Sequence, residues 1–180
     1  MSGYLDVVFT SAVVATLTGA LVNHYSDFFK LKRTSRRDAL SLAIELEGYV
    51  LLCADKLSDH DIAVSSHDSA GHRLTTIPEL PDLANIPAEV GLFWFKTPKL
   101  ANRILVLPQE HEIAKQSADF WWKVVGDRDC ADNASVSETA KITLLVLRLA
   151  KDIRNEFSLP TRDLIFDDYD VEKVILKHVE

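Results

Sequence analysis

The chain has 180 residues, enough for one domain of ordinary size with a short appendage, since a single core needs on the order of 100 to 150 residues. Its 20 Lys and Arg against 27 Asp and Glu leave a formal net charge of −7, which opposes nonspecific attraction to phosphate backbones or anionic lipid, so no nucleic-acid partner is expected. With 47% hydrophobic and 26% charged residues, the composition supports a folded core and excludes a low-complexity or disordered chain.

Residues 7–22 read VVFTSAVVATLTGALV, without a charge, between Asp6 and Asn23-His24. At 1.5 Å per residue this run is roughly 24 Å long, a little short of the ~30 Å hydrocarbon core, and Tyr4 and Tyr25 sit where the two interfaces would be. A cleaved signal peptide needs positive charge ahead of the apolar run, and residues 1–6 have none. An interfacial helix needs a strongly charged face, which residues 7–22 lack. The pattern therefore predicts a membrane anchor over residues 1–29, with a soluble helix packed into the core as the alternative. Lys30, Lys32, Arg33, Arg36 and Arg37 all follow the run and none precede it. By the positive-inside rule, this places a single-pass protein in the cell membrane with its C-terminal domain in the cytoplasm. Ser11, Ala15 and Gly19 recur every four residues, a small-residue ladder that lets two such helices approach closely, so a homo-oligomer is expected.

After the basic linker 30–37, the domain over 38–180 reads as helical. Ser35 with Asp38 resembles a capping box, and Leu42, Leu46, Tyr49, Cys53 and Leu57 then fall on one face at helical spacing. A second stripe of Ala39, Ala43, Val50 and Ala54 predicts burial on more than a narrow seam, as in a bundle. Residues 58–97 contain Pro78, Pro81 and Pro87 among many Ser, Asp and Thr, and are predicted to form a long irregular loop.

Thr97-Pro98 marks the start of a third helix carrying Leu100, Ile104 and Leu107, which Pro108 should kink or restart. Ile113, Phe120, Trp121 and Val124 are read as continuing its apolar face to a stop at Gly126. Residues 127–134 read as an exposed acidic loop. Ser135 with Glu138 then predicts the cap of a fourth helix that turns Ala140, Leu144, Leu147, Ala150 and Phe157 inward and ends before Pro160. A short terminal helix is expected over 171–179, and the strand-like fragments are short, such as Leu164-Ile165-Phe166. The fold class is all-α: an N-terminal transmembrane helix followed by a small helical bundle with a long irregular loop.

The chemistry-bearing residues give little. His111-Glu112 is followed at the second ligand position by Lys115, whose ammonium does not bind Zn²⁺, so a surface helix is expected there and no metal site is assigned. His60, His67 and His72 with Asp59, Asp61 and Asp68 have the right chemistry for metal-dependent hydrolysis, but solvated turns explain the same composition. Asp167, Asp168, Asp170 and Glu172 lack the central glycine of an EF-hand loop and are read as helix-terminus carboxylates. Cys53 reads as core and Cys130, among aspartates, as an unactivated thiol. Six glycines form no phosphate loop, so neither a cofactor nor a catalytic residue is assigned. Phe93-Trp94-Phe95 and Trp121-Trp122 leave Trp94 and Trp122 as candidate partner-contact aromatics, because adjacent rings cannot all face one way. The resulting expectation is a membrane-tethered, non-enzymatic interaction module that contacts the bilayer through 7–22 and an unknown protein partner; the alternative is a metal-dependent hydrolase using the 58–97 segment.

Overall fold

The computed structural model describes the backbone of residues 2–72, 74, 79–83, 97–125 and 128–179, with side chains at all of these except 2–15, 17, 118, 122, 125, 128 and 129. The chain divides into two compact units, Met1–Asp38 and Ala39–Glu180.

The first unit is helical, part of a helix α1 that runs over Ser2–Ser65. The expected cap at Ser35 is not there. Its hydroxyl instead bonds back to the Leu31 carbonyl at 2.8 Å, and residues 30–37 lie within the helix. Among the described residues no helix is long and apolar enough to cross a membrane. Most of the uncharged run (7–15 and 17) has side chains outside the described set, so the spanning helix and the membrane location rest on the sequence alone.

The second unit is a helical bundle. Its elements are the 39–65 part of α1, helix α2 (Pro98–Phe120) continued by a π-helical turn at Trp121–Val125, and helix α3 (Arg128–Glu156). A hairpin of β1 (Ile165–Phe166) and β2 (Tyr169–Asp170) and a single-turn helix α4 (Val171–Leu176) close the chain.

Both predicted stripes of α1 are buried: Leu42, Leu46, Tyr49, Cys53 and Leu57 together with Ala39, Ala43, Val50 and Ala54. The alanines on this helix leave room for close approach, and the larger residues fill the space between neighbours. Helix α3 is buried on several sides through Ile142, Val146, Leu149 and Ile153 on one line and Thr143, Leu147 and Ala150 on the next. The inward face of α2 is Ala101, Ile104, Leu107, His111 and Ala114. Leu159, Leu164, Val171 and Ile175 cover one end of the core.

Several sequence expectations are corrected. Helix α1 does not stop near Leu57 but continues to Ser65, with Ala63 still buried, so Asp59, His60 and Asp61 are helical and not loop residues. Pro108 does not restart the helix but lies inside one continuous helix α2. Helix α3 starts at Arg128, not at Ser135, and the supposed exposed acidic loop contains the buried Ala131 and Asp132. Ser135 is itself buried within the helix, where tertiary packing outweighs its capping preference. The apolar residues Ile113, Phe120, Trp121 and Val124 do not continue the inward face; they are exposed. His111, expected on a surface helix, is buried.

Candidate functional site

In the first unit the described side chains from Thr18 to Asp38 are exposed, with only Ser26 and Ser35 half-buried. Six are large and apolar: Leu21, Val22, Tyr25, Phe28, Phe29 and Leu31, each more than half exposed. Phe28 and Phe29 meet edge to face at 6.1 Å. Phe29 lies in a shallow groove with Ser26, Lys30, Lys32, Arg33 and Arg36, so aromatic and cationic groups share one surface. Lys30 stands 3.6 Å from Asp27, and Arg37 stands 3.4 Å from Asp38. Both pairs are solvent-exposed and contribute little to stability. Of the predicted helix-association face, Gly19 is exposed, with open space where a side chain would go, whereas the side chains of Ser11 and Ala15 lie outside the described residues.

In the second unit, the strongest electrostatic feature is buried. Glu47 of α1 accepts two hydrogen bonds from Arg154 of α3, one from Nε and one, at 2.9 Å, from Nη2. Arg162 adds a third at 3.1 Å, and the remaining Arg154 amine donates to the Pro160 carbonyl at 2.7 Å. These bonds, chiefly those to Glu47, hold Arg154 even further into its charged form despite its burial. Every group in the cluster is satisfied by a neighbour, which describes a structural clamp.

The candidate metal-ligating residues are dispersed. His60 lies on α1, and Asp61 pairs with the C-terminal end, 2.8 Å from Lys177 Nζ and 3.3 Å from His178 Nε2. Burial disfavours the Asp61 charge, but the hydrogen bond from Lys177 and the charges of His178 and Lys177 more than offset it, so its pKa is lowered. Asp68 organises the turn after α1: one oxygen accepts from the backbone N–H of Ala70 and of His72, both at 2.8 Å, and the other faces His72 Nδ1 at 3.2 Å. The His72 backbone bond is the main reason its pKa is lowered. Among the described residues no three His, Cys, Asp or Glu side chains converge as a metal ion requires.

His111 packs edge to face on Tyr49 at 5.8 Å and shares a hydrogen bond at 2.9 Å with the Pro81 carbonyl, which pins the 79–83 stretch to the bundle. Burial pushes up both the Tyr49 hydroxyl and the Cys53 thiol, so both stay neutral near pH 7. In the acidic run, Asp167 and Asp168 form the hairpin turn and Asp170 caps α4, accepting from the Lys173 backbone N–H at 3.3 Å. The Lys173 ammonium, 3.0 Å away, contributes most to lowering the Asp170 pKa. Glu172 pairs with Lys151 at 2.6 Å.

Trp94 and Trp122 lie outside the residues whose side chains are described. Beside Trp122, however, Phe120 and Trp121 stack edge to face at 5.9 Å and, with Ile113 and Val124, form an exposed apolar stripe along α2 and its π-turn. Sequence reading misplaced this stripe because Ile113 and Phe120 stand more than about 100° around the helix from the middle of the line of Ile104, Leu107, His111 and Ala114, while Trp121 and Val124 sit in the π-helical turn, where the α-helical spacing no longer holds. That phase difference was the available signal.

Comparison with known proteins finds no matching family model, no matching curated protein and no matching solved structure.

Proposed function

We propose that the protein is a membrane-tethered helical interaction module, in which the first unit holds the chain at a bilayer and the second binds a protein partner. The observation that carries the reading is the exposure of Leu21 and Val22 at the end of the uncharged run 7–22 and of Tyr25, Phe28, Phe29 and Leu31 directly after it. A helix that leaves this much apolar surface uncovered is disfavoured in water, while a bilayer and its interface satisfy it, with Tyr and Phe at the headgroup level. The basic residues 30–37 favour the orientation in which the second unit faces the cytoplasm in a single-pass protein of the cell membrane. For the second unit, the stripe of Ile113, Phe120, Trp121 and Val124 supports a partner-binding role, since large aromatics held on a helix are the usual anchors of protein contacts.

The test uses the full chain with a C-terminal reporter. The reporter is expected on the cytoplasmic side, with the protein resisting carbonate extraction. Complete release by carbonate overturns the anchoring. Removing residues 1–32 should leave a folded domain that no longer sediments with membranes, because the core residues begin at Ala39.

A further inference from the structure

The cations of the first unit are not distributed evenly around its helix. At about 100° per residue, Val22, Tyr25, Phe29, Arg33 and Arg36 lie within about 40° of one line. Lys32 lies beside that line, with Lys30 and Arg37 further out on the other side, whereas Asp27 and Asp38 stand about 160° and 180° from Phe29. All of these side chains are exposed. One face therefore runs from apolar through aromatic to cationic along the helix, and the two acids occupy the back. The net charge of −7 for the whole chain conceals this local excess.

From this one-sided gradient we infer that the Tyr25 to Arg37 face rests on an anionic lipid leaflet, with the helix bending onto the membrane where it leaves the anchor. The inference rests on the anchoring proposed above. At 1.5 Å per residue, Phe29 lies about 10 Å and Arg36 about 21 Å beyond Val22 along the axis. The polar region of one leaflet is only about 5–7 Å deep, so on an upright helix Arg33 and Arg36 would stand well clear of the phosphates, Arg36 by more than a Debye length. An upright helix would also have no use for cations on one side only. Such a bend brings the rings of Tyr25 and Phe29 to the headgroup level and both guanidiniums to the lipid phosphates, where Arg binds two oxygens at once. A nucleic acid is the less suitable occupant, because the same line begins with Val22 and two apolar-bodied rings that have no phosphate to face.

The test is flotation of the full chain with vesicles of phosphatidylcholine alone or with about one third phosphatidylserine. The lipid is kept limiting, so that only part of the protein binds phosphatidylcholine and headgroup charge can shift the bound fraction. Phosphatidylserine is expected to raise partitioning about tenfold or more at physiological salt, and Arg33→Gln with Arg36→Gln to remove most of that gain. Lys141→Gln with Lys173→Gln, an equal charge change in the second unit, should leave the gain intact. Equal partitioning into both vesicle types overturns the lipid contact and leaves the anchoring standing. Failure to float with either type overturns both. A gain that survives the arginine variant overturns the assignment to this face. Capture of a labelled single-stranded RNA through Arg33 and Arg36, with no phosphatidylserine gain, replaces lipid with nucleic acid as the occupant.

Discussion

Glu47 and Arg154 stand 107 residues apart in the chain and meet in a two-point ion pair that joins α1 to α3 inside the bundle. Their side chains are 4% and 7% exposed, so neither charge can be solvated if the other is lost. Arg154→Ala or Glu47→Ala should therefore destabilise the second unit by about 3–5 kcal/mol, measured by urea unfolding. Arg162, 42% exposed, adds a weaker contact, and Arg162→Ala should cost less than about 1 kcal/mol. Replacing the pair together, Glu47→Leu with Arg154→Met, should recover much of the loss, because it leaves no buried charge unpaired.

The two thiols should react at very different rates. Cys53 has no exposed surface, and burial holds it in the protonated form, whereas Cys130 is exposed near the start of α3. In native protein a maleimide should modify one thiol quickly, and mass mapping should place it at Cys130. Modification of Cys53 is expected only at the rate of unfolding. Equal rates would mean that the α1 to α3 packing opens readily.

The α1 face from Ala39 to Leu57 was legible because every buried position keeps helical spacing, even though Ile44 and Leu52, which are apolar too, are exposed. The helix ends were harder. Ser35 and Ser135 each carry an acid three residues on, the signal of a cap, yet Ser35 bonds back to Leu31 and Ser135 is buried within α3. A local pattern does not reveal that the helix on its N-terminal side is already formed. Asp59, His60 and Asp61 have weak helix propensity, and the continuation of α1 past them goes with the burial of Ala63 and the pairing of Asp61 with Lys177. The long-range partners Glu47–Arg154 and Asp61–Lys177 leave no local trace in one sequence. In the first unit, charge order along the chain was readable as orientation, while the one-sidedness of the cations needed the helix to be known as continuous through 30–37.

Asp61 ties the C-terminal end to α1 through Lys177 and His178, and its pKa is lowered in the folded state. A depressed carboxyl contributes stability that is complete above its unfolded value, about 3.9, and disappears as pH falls through the folded value. Below about pH 4 the α4 end should loosen, seen as faster amide exchange over 171–179 after correction for intrinsic rates. Asp61→Asn should produce the same loosening at neutral pH and flatten the acid dependence. Unchanged exchange in Asp61→Asn would show that Val171 and Ile175, both fully buried, hold α4 without the clasp.

Self-association of the anchor is the remaining expectation, and Gly19 makes it testable without disturbing the fold. A Cβ built at Gly19 meets nothing within 4 Å, so Gly19→Leu adds a side chain into open space and does not strain the single chain. In a pair of helices packed through Ser11, Ala15 and Gly19, the same leucine would hold the backbones apart and remove the close contact that small residues allow in lipid. Crosslinking in membranes should therefore show a dimer in the natural chain that falls several-fold in Gly19→Leu, while helix content by circular dichroism stays the same. Leu21→Ala, on a different face of the helix, should leave the dimer in place. A dimer that persists in Gly19→Leu would assign association to another surface, such as the Ile113, Phe120, Trp121 and Val124 stripe, where Trp121→Ala would then be the variant that dissociates it.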